Sequence, residues 1–150
     1  MKIYLDNCCY NRPFDDQTQD RIHIESEAVL AILRMCENGI ITILSSPILR
    51  LEIEKSINED KREKVIALYS LAHPDIPFTE AIRNRAEELR SKSSIRLMDS
   101  LHIAAAEAGD AEYMLTTDDK LRKSCEKLYL NTKVINPVTF MIEVVIGDEK

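Results

Sequence analysis

"KIYLDNCCYN", Lys2–Asn11, begins as an apolar run and passes straight into an acid. Ile3, Tyr4 and Leu5 are β-branched, aromatic and aliphatic, the side chains that fit a pleated, half-buried surface. Asp6 and Asn7 follow with neither Gly nor Pro to mark a turn. In an open parallel sheet, ligands bind beyond the carboxyl ends of the strands, so an acid delivered there by the first strand asks for a role. Whether such a sheet exists is decided by the rest of the chain.

Working outward, residues 2–6 read as strand one, and "NCCYNRPFDDQTQD" reads as a long polar loop, a type of segment that is often functional. From Arg21 the spacing becomes helical: Ile22, Ala28, Val29, Ile32, Leu33 and Cys36 recur at three- and four-residue steps, and Gly39 supplies a stop. "IITIL", Ile40–Leu44, predicts a buried strand. Ser46-Pro47 predicts an N-cap with proline in the first turn of a helix reaching about Asn58. A second helix is expected from about Asp60 to Ala72. "DIPF", Asp75–Phe78, is expected as a short edge strand because it contains Pro77. Thr79 caps a helix to about Ser91, and "SSIRLMDSLHIAAAEAG" is a further helix whose alanines allow close packing and which Gly109 stops. "EYMLTT", Glu112–Thr117, is a strand, "DDKLRKSCEKLY" a short helix, "KVIN", Lys133–Asn136, the last strand, and Asn136-Pro137 the start of a terminal helix. The alternation predicts a three-layer α/β/α sandwich with a mainly parallel central sheet of about five strands, covered on both faces. With no repeat or linker, residues 1–150 are expected to form a single domain.

Composition narrows the function classes. The 45% hydrophobic and 31% charged content is that of an ordinary globular protein. No apolar run approaches a membrane span and no signal-peptide pattern follows Met1, so a cytoplasmic location with no membrane partner is expected. A formal net charge of −6 argues against attachment to nucleic acid by bulk electrostatics, while leaving open an enzyme that meets phosphates through metal ions. Cys8, Cys9, Cys36 and Cys125 form no Cys-x-x-Cys pair, and His23, His73 and His102 are scattered; free thiols are expected rather than a zinc site. Three glycines leave no Gly-rich phosphate loop.

Four acids fall where the predicted strands end or where helices lead into them: Asp6, Glu52, Asp99 and Asp118. Each has a plainer reading. Asp6 suits a turn cap. Asp118 and Asp119 suit the positive end of a helix behind a Thr117 cap. Glu52 and Glu54 share a charged helix, but Glu52 lies near the stripe of Ile48 and Leu51, while Glu54 is about 200° from Glu52 at about 100° per residue. Asp99 sits in an almost wholly apolar helix, where an ionised carboxylate needs a cation, a metal or strong hydrogen bonds; a salt bridge to Arg96 or a distant arginine is the structural alternative. Gathered together, the four acids repel one another and take up protons unless a divalent ion is present, and hard oxygen donors suit Mg2+ or Mn2+.

These residues resemble the PIN-domain family of metal-dependent nucleases, which includes the VapC-type toxins of toxin–antitoxin systems. The resemblance rests on "IYLDN" with Asp6, "SSPILRLE" with Glu52, "DSLHIAAA" with Asp99 and "TTD" with Thr116 and Asp118, in order from Lys2 to about Asn136. It implies Asp6, Glu52, Asp99 and Asp118 as the catalytic and metal-binding acids. It implies supporting positions at Asn7 (in place of the usual Ser or Thr), Ser46, Thr116 and Asp119. It also implies phosphodiester hydrolysis, RNA in preference to duplex DNA, an antitoxin protein as partner and a homodimer. The long segment after Asp6 departs from short toxin sequences. Arg12, within it, is a candidate for reaching a substrate phosphate, and a solvent-facing arginine is the alternative. His102 shares a helix face with Asp99, either shuttling protons or packed with one hydrogen bond. Arg83, Arg85, Arg90 and Lys92 are candidates for the border of an RNA groove, diluted by Glu80, Glu87 and Glu88.

A catalytically inactive binding module on the same scaffold is the competing expectation. A phospho-acceptor receiver domain is disfavoured by Phe78-Thr79 and Asn136-Pro137 where it needs Asp and Lys. An Asp-x-Asp phosphatase is disfavoured by Cys8 in the second position.

Overall fold

Four parallel strands, β1 (Lys2–Leu5), β2 (Thr42–Ile43), β3 (Tyr113–Leu115) and β4 (Lys133–Ile135), make one sheet in the order β2-β1-β3-β4. The structure is a computed structural model and describes residues 1–147; positions 148–150 of the expected domain lie outside the described residues. Ile3, Tyr4 and Leu5 are all fully buried although successive side chains on a strand point to opposite faces, so helices cover the sheet on both sides.

The register fixes where the strands end. Leu5 is level with Leu115, and Leu115 with Ile135. Asp6 N–H then donates to Leu115 O at 2.9 Å, and Thr116 N–H to Ile135 O at 3.0 Å. The residues that follow β1 and β3 therefore leave the sheet side by side, at one rim.

Two expectations are corrected. The sheet has four strands rather than about five: Asp75 makes an isolated bridge to Ser45, and the next ladder bond would need a donor at Pro47, which has no N–H and opens a helix. The segment after Asp6 is not a polar loop but helix α1 (Asn7–Asn11) followed by a 3-10 turn (Arg12–Phe14), which buries Cys9 and Tyr10. Helix α1 starts at Asp6, which is extended (φ −67°, ψ 154°) and whose carboxylate accepts from Asn7 N–H at 2.8 Å, the capping role that Asp favours.

The remaining helices match their expected positions closely: α2 (Asp20–Glu37), α3 (Pro47–Glu54), α4 (Glu59–Tyr69), α5 (Glu80–Ser91), α6 (Leu97–Ala108), α7 (Asp119–Cys125) and α8 (Pro137–Thr139), which runs on as a π-helical segment, Phe140–Ile146. Helix α3 stops short of Asn58 because the Asn58 side chain caps the next helix, accepting from Lys61 N–H at 3.0 Å. Gly39, after α2, has φ +75°, a left-handed conformation that favours glycine.

Helix α6 runs through the interior, with Ile103, Ala104, Ala105 and Ala106 buried. At its end a Cβ on Gly109 would lie 2.7 Å from Ile76 Cδ1 and 2.8 Å from Leu44 Cδ1. Gly109→Ala is therefore expected to lower stability by about 1–3 kcal/mol through overpacking, measured by urea unfolding; an unchanged midpoint would show that Ile76 and Leu44 yield freely.

Candidate metal centre

Asp6 stands at the centre of the rim, 6% exposed. Its Oδ1 accepts from Asn7 N–H at 2.8 Å and its Oδ2 from the Thr116 hydroxyl at 2.9 Å. The Thr116 oxygen also accepts from Asp118 N–H at 3.2 Å, so one hydroxyl ties the end of β1 to the start of α7. Cys8 is drawn into the same corner: its thiol lies 3.5 Å from Asp6 Oδ2, and it accepts from Thr117 N–H at 3.3 Å.

Helix α3 brings Glu52 to Asp6 from the β2 side. Glu54 is exposed, as helical periodicity predicts, but Leu51, read as inward, is 50% exposed, and Ile53 is the buried neighbour. Helix α6 brings His102, fully buried. One donor atom from each of Asp6, Glu52 and His102 lies within 4.8 Å of the others. Nε2 of His102 is 3.1 Å from Glu52 Oε1, and Nδ1 is 2.7 Å from the Tyr4 hydroxyl, which is 2.8 Å from Ser46 Oγ. Ser46 also caps α3, accepting from Leu49 N–H at 3.1 Å. The expectation of one hydrogen bond for a packed histidine thus understates this residue, which makes two. Burial on its own would lower the His102 pKa, but the Glu52 hydrogen bond and the charges of Asp6, Glu52 and Asp99 outweigh it and raise the value. Burial pushes the Tyr4 phenol well above its ordinary range, so it keeps its proton.

Asp99 and Asp118 form the outer part of the site. They line one pocket of about 240 Å³ together with Arg96 and Lys120. Asp99 is pushed above the usual carboxylate range, first by burial and then by the charge of Asp6; Arg96 and His102 oppose this without cancelling it. Arg96 Nε lies 3.4 Å from Asp99 Oδ2 and its Nη2 lies 4.0 Å from Asp118 Oδ2, so the arginine raised as the structural alternative for Asp99 is present. It is 79% exposed, and a pair so open to solvent holds Asp99 weakly. Asp118 itself, rather than Thr117, caps α7, accepting from Leu121 N–H at 3.1 Å.

Three sequence candidates point elsewhere. Asp119 makes a two-pronged pair with Arg21 at 2.7 and 2.8 Å, which holds its pKa well below the ordinary range; it supports α2 rather than Asp118. Arg12 donates to the buried Glu25 at 2.9 Å and pairs with Asp15 at 3.2 Å, so its guanidinium is engaged inside the fold. Arg85 is held by Glu107 at 2.8 Å and Glu88 at 3.0 Å, leaving little of the expected basic border on α5.

The donor set fits a hard divalent ion. Asp6 and Glu52 converge beside His102, Asp99 is raised in pKa by burial and then by the charge of Asp6, and hydrogen bonds to Asp6 and Glu52 orient their oxygens. The roles of Tyr4 and Cys8 and the second bond of His102 were not legible in the sequence, and only packing of α6 against β1 brings His102 to Tyr4.

Fold and site together define an α/β protein with an acidic pocket beyond the carboxyl ends of its parallel strands. The chain belongs to the PIN-domain family, whose model matches residues 4–127. Among solved structures it is similar to a chain of the crystal structure of VapBC2 from Rickettsia felis bound to a DNA fragment from their promoter. The TM-score is 0.59 at 20% identity, covering 91% of this chain and 98% of that one. No curated protein matches.

Proposed function

We propose that the protein is a metal-dependent ribonuclease, the toxin of a toxin–antitoxin pair. The observation that carries the reading is the convergence of Asp6 and Glu52 at the sheet rim, with Asp99 and Asp118 lining the adjoining pocket and both beside Arg96. Asp6, Glu52, Asp99 and Asp118 would hold Mg2+ or Mn2+. When bound, the ion supplies Lewis-acid stabilisation of phosphate charge and lowers the pKa of water. The chain's own part is positional. Thr116 and the α1 N-terminus fix both oxygens of Asp6, and Ser46 acts through Tyr4 rather than on an acid directly.

RNA as substrate is supported by the family and by a local reversal of charge. Lys92, Lys120, Lys123 and Lys127 outnumber Asp119 and Glu126 around a groove of about 790 Å³ that shares Ser94, Lys120 and Ser124 with the acidic pocket. Replacing Lys120, Lys123 and Lys127 by Ala is expected to weaken RNA binding and to reduce the slope of log K against log salt by about 2, at about 0.7 per lost contact. An unchanged slope would remove this groove from the path.

Cleavage of single-stranded RNA in Mg2+ or Mn2+, and none in EDTA, tests the activity; equal cleavage in both overturns it. The antitoxin partner belongs to the same proposal, supported by likeness to a chain from a VapBC complex, and a homodimer is proposed from the family resemblance alone. So does a cytoplasmic location; among the described residues no helix is long and apolar enough to cross a membrane. Expression of the wild-type chain should arrest growth and Asp6→Asn should not; identical growth counts against a toxin.

A further inference from the structure

We propose that His102 is a positioning residue for Glu52, with Tyr4 and Ser46 fixing which ring nitrogen faces the carboxylate. The proposal rests on the metal-centre reading above. Its warrant is the sense of each hydrogen bond along the chain Leu49–Ser46–Tyr4–His102–Glu52. Glu52 Oε1 only accepts, so His102 Nε2 carries the proton it receives at 3.1 Å. In the neutral ring Nδ1 is then the acceptor of the Tyr4 hydroxyl at 2.7 Å, and Tyr4 in turn accepts from Ser46 Oγ at 2.8 Å, whose remaining lone pair takes Leu49 N–H at 3.1 Å. An imidazolium would also present Nε2–H to Glu52, so the contact holds in either charge state.

Both ring nitrogens are thereby engaged. The imidazole lies among the acids without offering a lone pair to an ion, and Glu52 Oε1 is held while no protein hydrogen bond among those of the described residues engages Oε2. A carboxylate pinned at one oxygen presents the other in a fixed direction. Outer hydrogen bonds of this kind are worth about 10–100-fold in metal affinity. The buried chain also couples the α3 N-terminus, β1 and α6, the three elements that carry Ser46, Tyr4 and His102, to one oxygen of the fourth participant.

Calorimetric titration with Mn2+ tests this on wild type, His102→Leu, His102→Gln and Tyr4→Phe, with metal-free melting curves alongside. His102→Leu should weaken Mn2+ binding by about 10–100-fold, and His102→Gln, whose amide can still donate, should recover most of that loss. Wild-type affinity in His102→Leu overturns the positioning role and leaves the metal centre standing; a wild type that binds no Mn2+ overturns the centre itself. Two measurements on the wild type remain decisive if His102→Leu does not fold. Nitrogen-15 NMR of the metal-free protein should find the proton on His102 Nε2, and an Nδ1–H tautomer overturns the proposal. Pulsed EPR of the Mn2+-loaded, histidine-labelled protein should show no directly bonded nitrogen, since such a coupling would make His102 a ligand.

Discussion

Asp6→Asn is expected to leave the fold intact and reduce RNA cleavage by at least about 10²–10³-fold, the scale of losing one preorganised electrostatic group. The fold survives because asparagine also caps helices and still accepts from Asn7 N–H. The activity falls because the amide removes a negative charge from the most buried acid of the rim, the one that Thr116 and Asn7 hold at both oxygens. Circular dichroism checks the first half and a labelled-RNA time course the second. Cleavage equal to wild type would assign the nuclease activity to a contaminant.

Asp99→Asn is expected to raise the metal-free melting temperature at neutral pH while abolishing stabilisation by Mn2+. The sign follows from the raised pKa, caused by burial and then by Asp6. A carboxylate raised in the folded state binds its proton more tightly there than in the unfolded chain. Its ionised form therefore destabilises the fold above the folded pKa, and the penalty fades as pH falls through that value. The amide carries no such charge, so the gap between variant and wild type should narrow on acidification. For the wild type, Mn2+ at a hundredfold excess over its Kd should add about 2.7 kcal/mol. A large drop in melting temperature for Asp99→Asn would instead make the Arg96 pair the structural purpose of this acid.

The α/β layout was legible because alternating strand and helix patterns are local. Ile3–Leu5, the 3.6-residue spacing of Val29, Ile32 and Leu33, and the caps at Ser46 and Thr79 each declare themselves within a few residues. Periodicity separated Glu52 from Glu54 but misread Leu51, which faces solvent. The expected fifth strand shrinks to one bridge because "DIPF" has no continuous partner beyond Ser45, where Pro47 turns the chain into a helix. Helix α1 was missed because its N-cap is the same Asp6 whose acidity drew attention to the metal. Asp119 was misplaced for a different reason: its neighbour in sequence is Asp118, but its partner in space is Arg21, 98 residues away. The Tyr4–His102 contact also spans 98 positions, and no periodicity reports on such a pair.

The strand order has a consequence for synthesis on the ribosome. β1 is made first, yet one of its two neighbours, β3, begins at Tyr113. A nascent chain that has emerged only as far as α6 carries Asp6, Glu52 and Asp99 but lacks the strand that closes over β1 and the Thr116 hydroxyl that orients the first acid. Pairings of such long sequence separation form late and slowly. The Asp6–Thr116 contact of the proposed metal centre is thus withheld until β3 has been translated.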